Sequence, residues 1–475
     1  MNTTTGQAPY GPPSRWQQPG ASPGVSDSEK KSAKAVRTAA AASVKPRVSW
    51  PGYAFIVVFL VVVFEGAIRK WVTPASTVPL ILLRDLTALC LVFYAWKCGN
   101  LGRFGKVTAV MTIWSCMVIA WALFQVVAGQ NSAVVLLIGL RFWLLYIWFA
   151  IAAAATLTEH DYRTAIRVAI VSLLVMAPLA VLQYYSPQGA TINRQLDGDE
   201  DLVFVVVAGV VRTTGTFSFT SGYATFVTLV SPLVFALLGA RKRSRMNWIF
   251  ALAGFGGFMI ASVISGSRTA VLSAGMMLGA YLVGRLVFSK NRDKPMALIA
   301  VLMMLLMASV MVFVLSDAVT VTQQRFEDAA GGENFWMRVL AIFVGEPTVY
   351  KNITWLGHGL GAGSNLATSL RPGAENFGLA ESEAGRILLE GGILGYAFIA
   401  LKIAVLFVAF FKCWFLARKR NSPYPLLMWL TLLLGVMTWP AIGQLSANAL
   451  LGLLMGFFFL MFRHPSGDFF PAPRR

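Results

Sequence analysis

Charged side chains are scarce in this sequence. Only 13% of its 475 residues are Asp, Glu, Lys or Arg, whereas 57% are hydrophobic. One water-soluble core cannot bury that much apolar surface, so the composition excludes an ordinary soluble domain. Apolar runs of roughly 20 residues, the length that crosses a bilayer as a helix, recur from Tyr53 to Phe462. Because only helices satisfy every backbone group in lipid over such runs, we predict an all-α polytopic membrane protein with about twelve transmembrane helices.

Cysteine and histidine are also rare, with four and three residues respectively. The cysteines lie inside apolar stretches or beside basic loops, and their spacing matches no zinc motif. We therefore expect no disulfide framework and no metal site. No cofactor is expected either.

The apolar stretches divide the chain into a membrane domain and two tails. Residues 1–50 are rich in Pro, Gly, Ser, Ala and Lys without hydrophobic periodicity, which predicts a disordered tail. Residues 51–463 form the predicted membrane domain, and residues 464–475 form a short C-terminal tail. The predicted spans are 53–68, 79–97, 107–128, 133–155, 165–183, 221–239, 248–265, 269–287, 296–315, 386–411, 426–443 and 445–462.

The positions of the basic residues explain the formal net charge of +19. Five basic connections and both termini fall on one side of the predicted membrane domain, and this side is expected to be cytoplasmic. Nucleic-acid binding is not expected. The opposite side receives two long connections, 184–220 and 316–385. Long loops are usually functional or disordered, but the second carries aromatic anchors such as Trp336 and Trp355, so we expect short helices over the membrane domain.

Two arginines mark the rim on the side of the long connections. Arg268 follows the Ser-Gly-Ser run 265–267 at the start of a span, where backbone N–H groups favour an anion. Arg212 lies at the end of the first long connection. Since guanidinium groups match phosphate geometry, the two together suit a diphosphate. The alternatives are a snorkelling role for Arg268 and pairing of Arg212 with the acidic cluster 197–201.

Four ionisable residues lie within ten positions where the tenth predicted span begins. They are Glu381, Glu383, Arg386 and Glu390. Packing alone does not explain so many charges at a membrane entry. Spacings of three and four residues allow Arg386 to pair with Glu383 and Glu390 on one helix face, which is the structural alternative to a catalytic role.

The run Gly357–Gly363 contains four glycines and His358. It follows no βαβ pattern and lacks the lysine of a phosphate-binding loop, so we favour tight turns over a ligand contact. His358 is the only histidine predicted outside the cytoplasm, and this makes it a candidate acid or base.

Further charges lie within apolar sequence. Glu65 and Arg69 are four residues apart on the first span, and Arg84 and Asp85 are adjacent on the second. Mutual neutralisation is expected for these residues, and it leaves Arg141 on the fourth span without a partner.

The order of these motifs resembles the O-antigen ligase and O-antigen polymerase (Wzy-type) superfamily over most of the membrane region. In that family an arginine before Gly-x-Phe is followed by Ser-x-Ser-Arg, Gly-x-Gly-x-Gly, a His-Asn motif and a helix with Glu-x-Gly-x-x-Gly. The EGAIRKWV and LLRD stretches are similar to an exopolysaccharide branch of the family. The matching residues are Arg212 with Gly215 and Phe217, Ser265–Arg268, Gly357–Gly361 and Glu390–Gly395.

The His-Asn motif of the family is replaced here by Glu381 and Ser382, counting back from Glu390. The histidine that activates the acceptor in the family is therefore absent. A carboxylate can accept a hydroxyl proton when burial raises its pKa, so Glu381 is the first candidate base, followed by Glu383 and His358. Residues expected to support the site are Arg386, Glu390 and Arg141.

The resemblance implies a metal-independent, inverting membrane glycosyltransferase of the bacterial inner membrane. It would polymerise polyprenyl-diphosphate-linked repeat units into exopolysaccharide or O-antigen at the periplasmic face, with Arg212 and Arg268 on the diphosphate. Expected partners are the lipid-linked donor, a glycan or lipid-linked acceptor, membrane lipids and polysaccharide export machinery. The alternatives are a ligase that transfers glycan to a lipid acceptor, a secondary transporter and a scaffold without enzymatic activity.

Overall fold

The computed structural model describes residues 47–195, 210–239, 245–288, 294–332, 335–368, 380 and 382–465. Most of the predicted N-terminal tail and of the C-terminal tail lies outside these residues. The α-helices within these residues are numbered here in chain order. They are α1 (Trp50–Trp71), α2 (Thr77–Lys97), α3 (Gly105–Val127), α4 (Ala133–Thr156), α5 (Glu159–Tyr185), α6 (Thr220–Gly239), α7 (Arg245–Ile264), α8 (Arg268–Phe288), α9 (Lys294–Val314), α10 (Ser316–Gly332), α11 (Phe335–Val344), α12 (Pro347–Tyr350), α13 (Asn365–Thr368), α14 (Glu383–Gly391), α15 (Ile393–Arg420), α16 (Tyr424–Thr438) and α17 (Leu445–Arg463).

The chain is an all-α, multi-pass membrane protein, as predicted. Among the described residues, ten helices are long and apolar enough to cross a bilayer, namely α1 to α8, α15 and α17. An eleventh candidate is formed by α9 and α10, which are bent by 80° relative to each other. The 15 residues of α16 rise only about 22 Å, less than a hydrocarbon core of about 30 Å. Every predicted span therefore contains a helix, but the ninth continues into a bent helix pair and the eleventh is short. The predicted span 386–411 is interrupted at Gly392, so its first residues belong to α14 and the membrane-length helix begins at Ile393.

The connections collect at two ends of the bundle, because successive spans alternate in direction. At the end that we call the basic end, Arg103 donates a hydrogen bond to the Ala155 carbonyl at 2.8 Å. At the opposite end, which we call the loop end, Gln125 of α3 donates to the carbonyl of Leu356 in the second long connection at 2.7 Å. The described parts of the five basic connections lie at the basic end. The second long connection contains the short helices α11, α12 and α13, as expected.

Small residues allow the central helices to approach closely. A Cβ atom added to Gly452 of α17 would lie 2.6 Å from the Tyr146 Cβ of α4. A Cβ on Gly456 would lie 2.9 Å from the Phe55 ring of α1. Lipid tails are as apolar as side chains, so close van der Waals packing at such residues holds membrane helices together.

Ion pairs link α1, α2 and α4 inside the bundle. The fully buried Arg84 donates to Glu65 at 2.8 Å. Asp85 accepts two hydrogen bonds from Arg141, at 2.7 and 3.2 Å, and one from the Tyr146 hydroxyl at 2.7 Å. The expected pair of Arg84 with Asp85 is confirmed at 3.3 Å. Glu65, whose expected partner was Arg69, is instead bound by Arg84. Arg141, for which the sequence offers no partner, belongs to the same network.

The helix α4 widens into a π-helical turn over Arg141–Leu145. Such a turn replaces the usual i to i+4 backbone hydrogen bonds and commonly leaves a carbonyl for another donor. Here the Asn448 side chain of α17 donates to the Phe142 carbonyl at 2.9 Å. The π turn is thereby fixed against a neighbouring helix.

We predict that Asp85→Ala strongly destabilises the protein, because it leaves the Arg141 guanidinium buried without its carboxylate. Breaking a buried pair costs about 3–5 kcal/mol. The measurement is thermal unfolding of the purified protein in detergent. The Asp85→Asn, Arg141→Gln double variant removes both charges and should regain part of the loss. A single variant that melts like the wild type would show that this pair does not stabilise the bundle.

Candidate functional site

A buried polar turn, residues 213–218, lies at the loop end of the bundle. The Gln183 side chain of α5 holds its backbone, because Oε1 accepts from the Gly215 amide at 2.8 Å and Nε2 donates to the Gly215 carbonyl at 3.2 Å. Gly215 has a φ of +54°, a conformation that favours glycine. The first long connection is therefore anchored between helices at its C-terminal part.

The two arginines predicted to bind a diphosphate are carried by segments that touch. Arg212 immediately precedes Thr213, whose hydroxyl donates to the Ile264 carbonyl at the end of α7 at 3.2 Å. Arg268 follows Ile264 by four residues and begins α8. The fold thus brings together the two segments that carry these arginines, which are 56 positions apart in the sequence.

The predicted Ser-Gly-Ser run forms the entry to α8. Residues 265–267 are buried, and Gly266 has a φ of +59°. The Ser267 amide donates to the Ser265 hydroxyl at 3.1 Å. The 21-residue helix that follows directs its N-terminus, and hence the positive end of its dipole, toward the loop end. This supports the expected preference of Arg268 and its surroundings for an anion.

The end of α1 adds two cations that the sequence analysis did not single out for this site. Lys70, only 3% exposed, donates to the Thr214 hydroxyl at 2.9 Å and to the Gly215 carbonyl at 3.1 Å. Arg69 donates to the Ser218 hydroxyl at 3.4 Å. Within the described residues no carboxylate forms a salt bridge with Lys70. The only sequence signal was a lysine at the end of an apolar span, which is more often a snorkelling residue.

The glycine run belongs to a loop, residues 354–364, that packs against α3, α4 and α14. Gly357, Gly359 and Gly361 have φ values of +81°, +115° and +87°, which other residues rarely adopt. A Cβ on Gly361 would also collide with the backbone of Gly139 in α4. The tight-turn role predicted for these glycines is confirmed.

Glu390 holds this glycine loop from α14. Its carboxylate accepts from the Gly361 and Gly363 amides, each at 3.0 Å, and from the Trp143 indole at 2.9 Å. Gln125 of α3 adds a second clamp, since its Oε1 accepts from the amide of Leu360 at 2.9 Å. Burial raises the pKa of Glu390 to about 7, although the three donors oppose this shift. The geometry gives Glu390 a supporting role.

His358 is half-buried in the same loop. Its Nε2 lies 2.6 Å from the Asn352 carbonyl, and its amide donates to the Leu389 carbonyl at 2.8 Å. Because a carbonyl only accepts, Nε2 carries the hydrogen in this arrangement. That ring nitrogen is therefore not available as a base here.

Glu383 lies at the start of α14 and is 4% exposed. Its two oxygens accept from one backbone amide, that of Ile442, at 3.0 and 3.2 Å, and Lys402 lies 4.0 Å away. Burial raises the pKa of the Glu383 carboxyl. Ile442 lies in the loop between α16 and α17, outside both helices, and the Glu383 carboxyl group accepts the hydrogen bond of its amide. Glu383 thus fixes this loop.

Arg386 does not pair as its helical spacing allows. Within the described residues, no salt bridge joins it to Glu383 or Glu390, because these carboxylates bind backbone amides on other segments. The Arg386 Nε instead donates to the Ala380 carbonyl at 3.2 Å. Its guanidinium packs against Gly443, where a Cβ would collide with it. The structural alternative of pairing on one helix face therefore does not account for Arg386, since tertiary contacts satisfy the carboxylates.

Glu381, the first candidate base, lies outside the described residues, but both of its neighbours are described. Ala380 is buried, and Ser382 caps the N-terminus of α14 by accepting from the Gly385 amide at 3.0 Å. The amide and hydroxyl of Ser382 donate to Glu346. Glu346 therefore fixes the chain beside position 381, a role that the sequence analysis missed because its partner lies 36 residues away.

Comparison with known proteins does not assign this site. No protein-family model matches the chain, and a search of curated proteins found no significant match. Basic side chains around a buried polar turn beside a helix N-terminus suit a polyanion.

We predict that Glu390→Leu loosens the glycine loop, because two amides and the Trp143 indole lose their acceptor. Hydrogen exchange of residues 354–364 should accelerate by about tenfold or more, because three hydrogen bonds that each contribute about 1 kcal/mol are lost. Mass spectrometry of the purified protein gives the measurement. Glu327→Leu, at an exposed position of α10, is the control. Unchanged exchange in Glu390→Leu would rule out the clamp.

Proposed function

We propose that this protein is a membrane glycosyltransferase that uses a glycan carried on a polyprenyl diphosphate. One observation carries the proposal. The segments of Arg212 and Arg268 meet at the buried turn 213–218 through the Thr213 hydrogen bond to Ile264, and Lys70 is buried in the same turn. The resemblance of the motif order to the O-antigen ligase and polymerase superfamily supports the same assignment.

In this proposal the donor diphosphate binds beside the turn 213–218. Arg212 and Arg268 contact the phosphate oxygens, and the N-terminus of α8 adds its dipole. Lys70 holds the turn beneath them through its hydrogen bonds to Thr214 and Gly215. Groups that stabilise charge where it develops usually make the largest contribution to such transfers, so the arginines lower the barrier by stabilising the departing diphosphate.

The acceptor hydroxyl attacks the anomeric carbon from the face opposite the diphosphate. A carbon–oxygen bond to the acceptor forms as the bond to the phosphate oxygen breaks, and that electron pair leaves with the diphosphate. Glu381 takes the hydroxyl proton. The configuration inverts. Glu383 and His358 remain further candidates, but their bonds to Ile442 and Asn352 support Glu381 in preference.

The product of the reaction is proposed to be exopolysaccharide or O-antigen. The acceptor is then a second lipid-linked glycan, whereas a ligase would use a different lipid acceptor. With the basic end in the cytoplasm, the turn 213–218 faces the periplasm of a bacterial inner membrane. Export machinery for the polysaccharide is the proposed partner.

We predict that Arg268→Ala lowers the rate of donor consumption by about 10²–10³-fold, the usual loss for a group that stabilises developing charge. The purified protein is incubated with a polyprenyl-diphosphate oligosaccharide, and glycan length and released polyprenyl diphosphate are followed. Arg285→Ala, at the basic end of the same helix, is the matched control. Equal loss in both variants would remove Arg268 from the site. Glycan extension indicates a polymerase, and transfer to another lipid indicates a ligase.

We predict that Glu381→Gln loses about 10²–10⁴-fold in turnover, the range expected for a general base. Donor binding should be retained, because the diphosphate contacts lie on other segments. Glu327→Gln serves as the control. Full turnover in Glu381→Gln would shift the role of base to Glu383 or His358, which the Gln variants of these residues would then separate.

A secondary transporter is the second candidate, favoured by the charges within α1, α2 and α4. Transporters place ionisable groups near the membrane midplane, often at broken helices. Here these charges neutralise one another as Arg84 with Glu65 and Arg141 with Asp85, which is more typical of structural pairing. Substrate flux in vesicles, together with no donor consumption by well-folded protein, would favour transport and overturn the glycosyltransferase proposal.

A further inference from the structure

A groove of about 270 Å³ opens between α1 and α5. Its lining surface is apolar. Leu60 and Phe64 of α1 form one wall, and Val168, Val171 and Val175 of α5 form the other. None of the residues that line the groove belongs to the turn 213–218, although Val63 and Met176, the chain neighbours of Phe64 and Val175, contact Thr216 of that turn. The proposed reaction does not use the groove.

Arg167 lines the groove on the side nearer the basic end. It is half-buried, and it makes no hydrogen bond or ion pair with any residue in the described ranges. Arg163, one turn earlier, is instead paired with Glu159 at 2.6 Å. Side chains of a helix lean toward its N-terminus, and α5 begins at the basic end. This lean favours a guanidinium on the headgroup side of the groove, where a long basic side chain reaches the membrane interface.

We propose that this groove binds an anionic phospholipid from the leaflet at the basic end. Its phosphate contacts Arg167, and one acyl chain lies along the apolar walls. The α5 residues that line the groove span positions 164–175, about 16 Å of helix, which suits an extended acyl chain. Basic pockets between membrane helices are typical binding sites for anionic headgroups. A polyprenyl tail would fill the apolar walls but would leave Arg167 unpaired.

The test uses the full-length protein purified in detergent and native mass spectrometry. The probes are phosphatidylglycerol and phosphatidylcholine with identical acyl chains. The wild type should retain phosphatidylglycerol over phosphatidylcholine by about fivefold, the effect of one basic residue near an anionic headgroup. Arg167→Gln should abolish this preference. Arg285→Gln, which replaces another half-buried arginine at the basic end, should preserve it.

A second variant tests the apolar walls. Val171 is exposed on the lipid-facing side, so Val171→Trp should fold, fill the groove and reduce the retention of both lipids. Thermal unfolding checks the fold of each variant. Equal retention of the two lipids by the wild type would overturn the proposal, as would an unchanged preference in Arg167→Gln. Displacement by polyprenyl phosphate without any effect of Arg167→Gln would assign the groove to a polyprenyl tail instead.

Discussion

Backbone that leaves a helix inside a membrane bundle must find hydrogen-bond partners among side chains, because lipid supplies none. Three such segments at the loop end meet this constraint in the same way. Gln183 holds the turn 213–218, Glu390 holds the glycine loop, and Glu383 holds the loop after α16. Each side chain projects from a helix that is itself anchored in the bundle. The proposed site is consequently built on irregular segments that are nevertheless fixed.

The same constraint divides the charges of the protein into two groups. Arg84 and Arg141, inside the bundle, have carboxylate partners on neighbouring helices. Lys70 donates its hydrogen bonds within the described residues to neutral oxygens in the turn 213–218. The paired charges cancel at short range. The buried arginines of the bundle and the lysine at the turn are thus stabilised by different kinds of partner.

The sequence predicts the architecture well, because long apolar runs leave helices as the only solution in lipid. The helices follow from the apolar runs, the basic end and the loop end from the positions of the basic residues, and the turns in Gly357–Gly363 from the glycine spacing. The pairing of Arg386 could not be predicted from its spacing, since Glu383 and Glu390 bind distant backbone amides. Lys70 and Glu346 escaped notice for a similar reason: their partners lie 144 and 36 residues away. Tertiary contacts, rather than helical periodicity, determine the hydrogen-bond partners of these residues.

The π turn in α4 has a further consequence for how this helix varies in evolution. A π turn adds one residue to a helical turn, so the parts of α4 before and after Arg141–Leu145 do not share one helical wheel. Removing a single residue there would rotate one half by about 100° relative to the other. Relatives with a regular helix at this place should therefore align with a one-residue gap, and their equivalent of Arg141 should be absent or displaced.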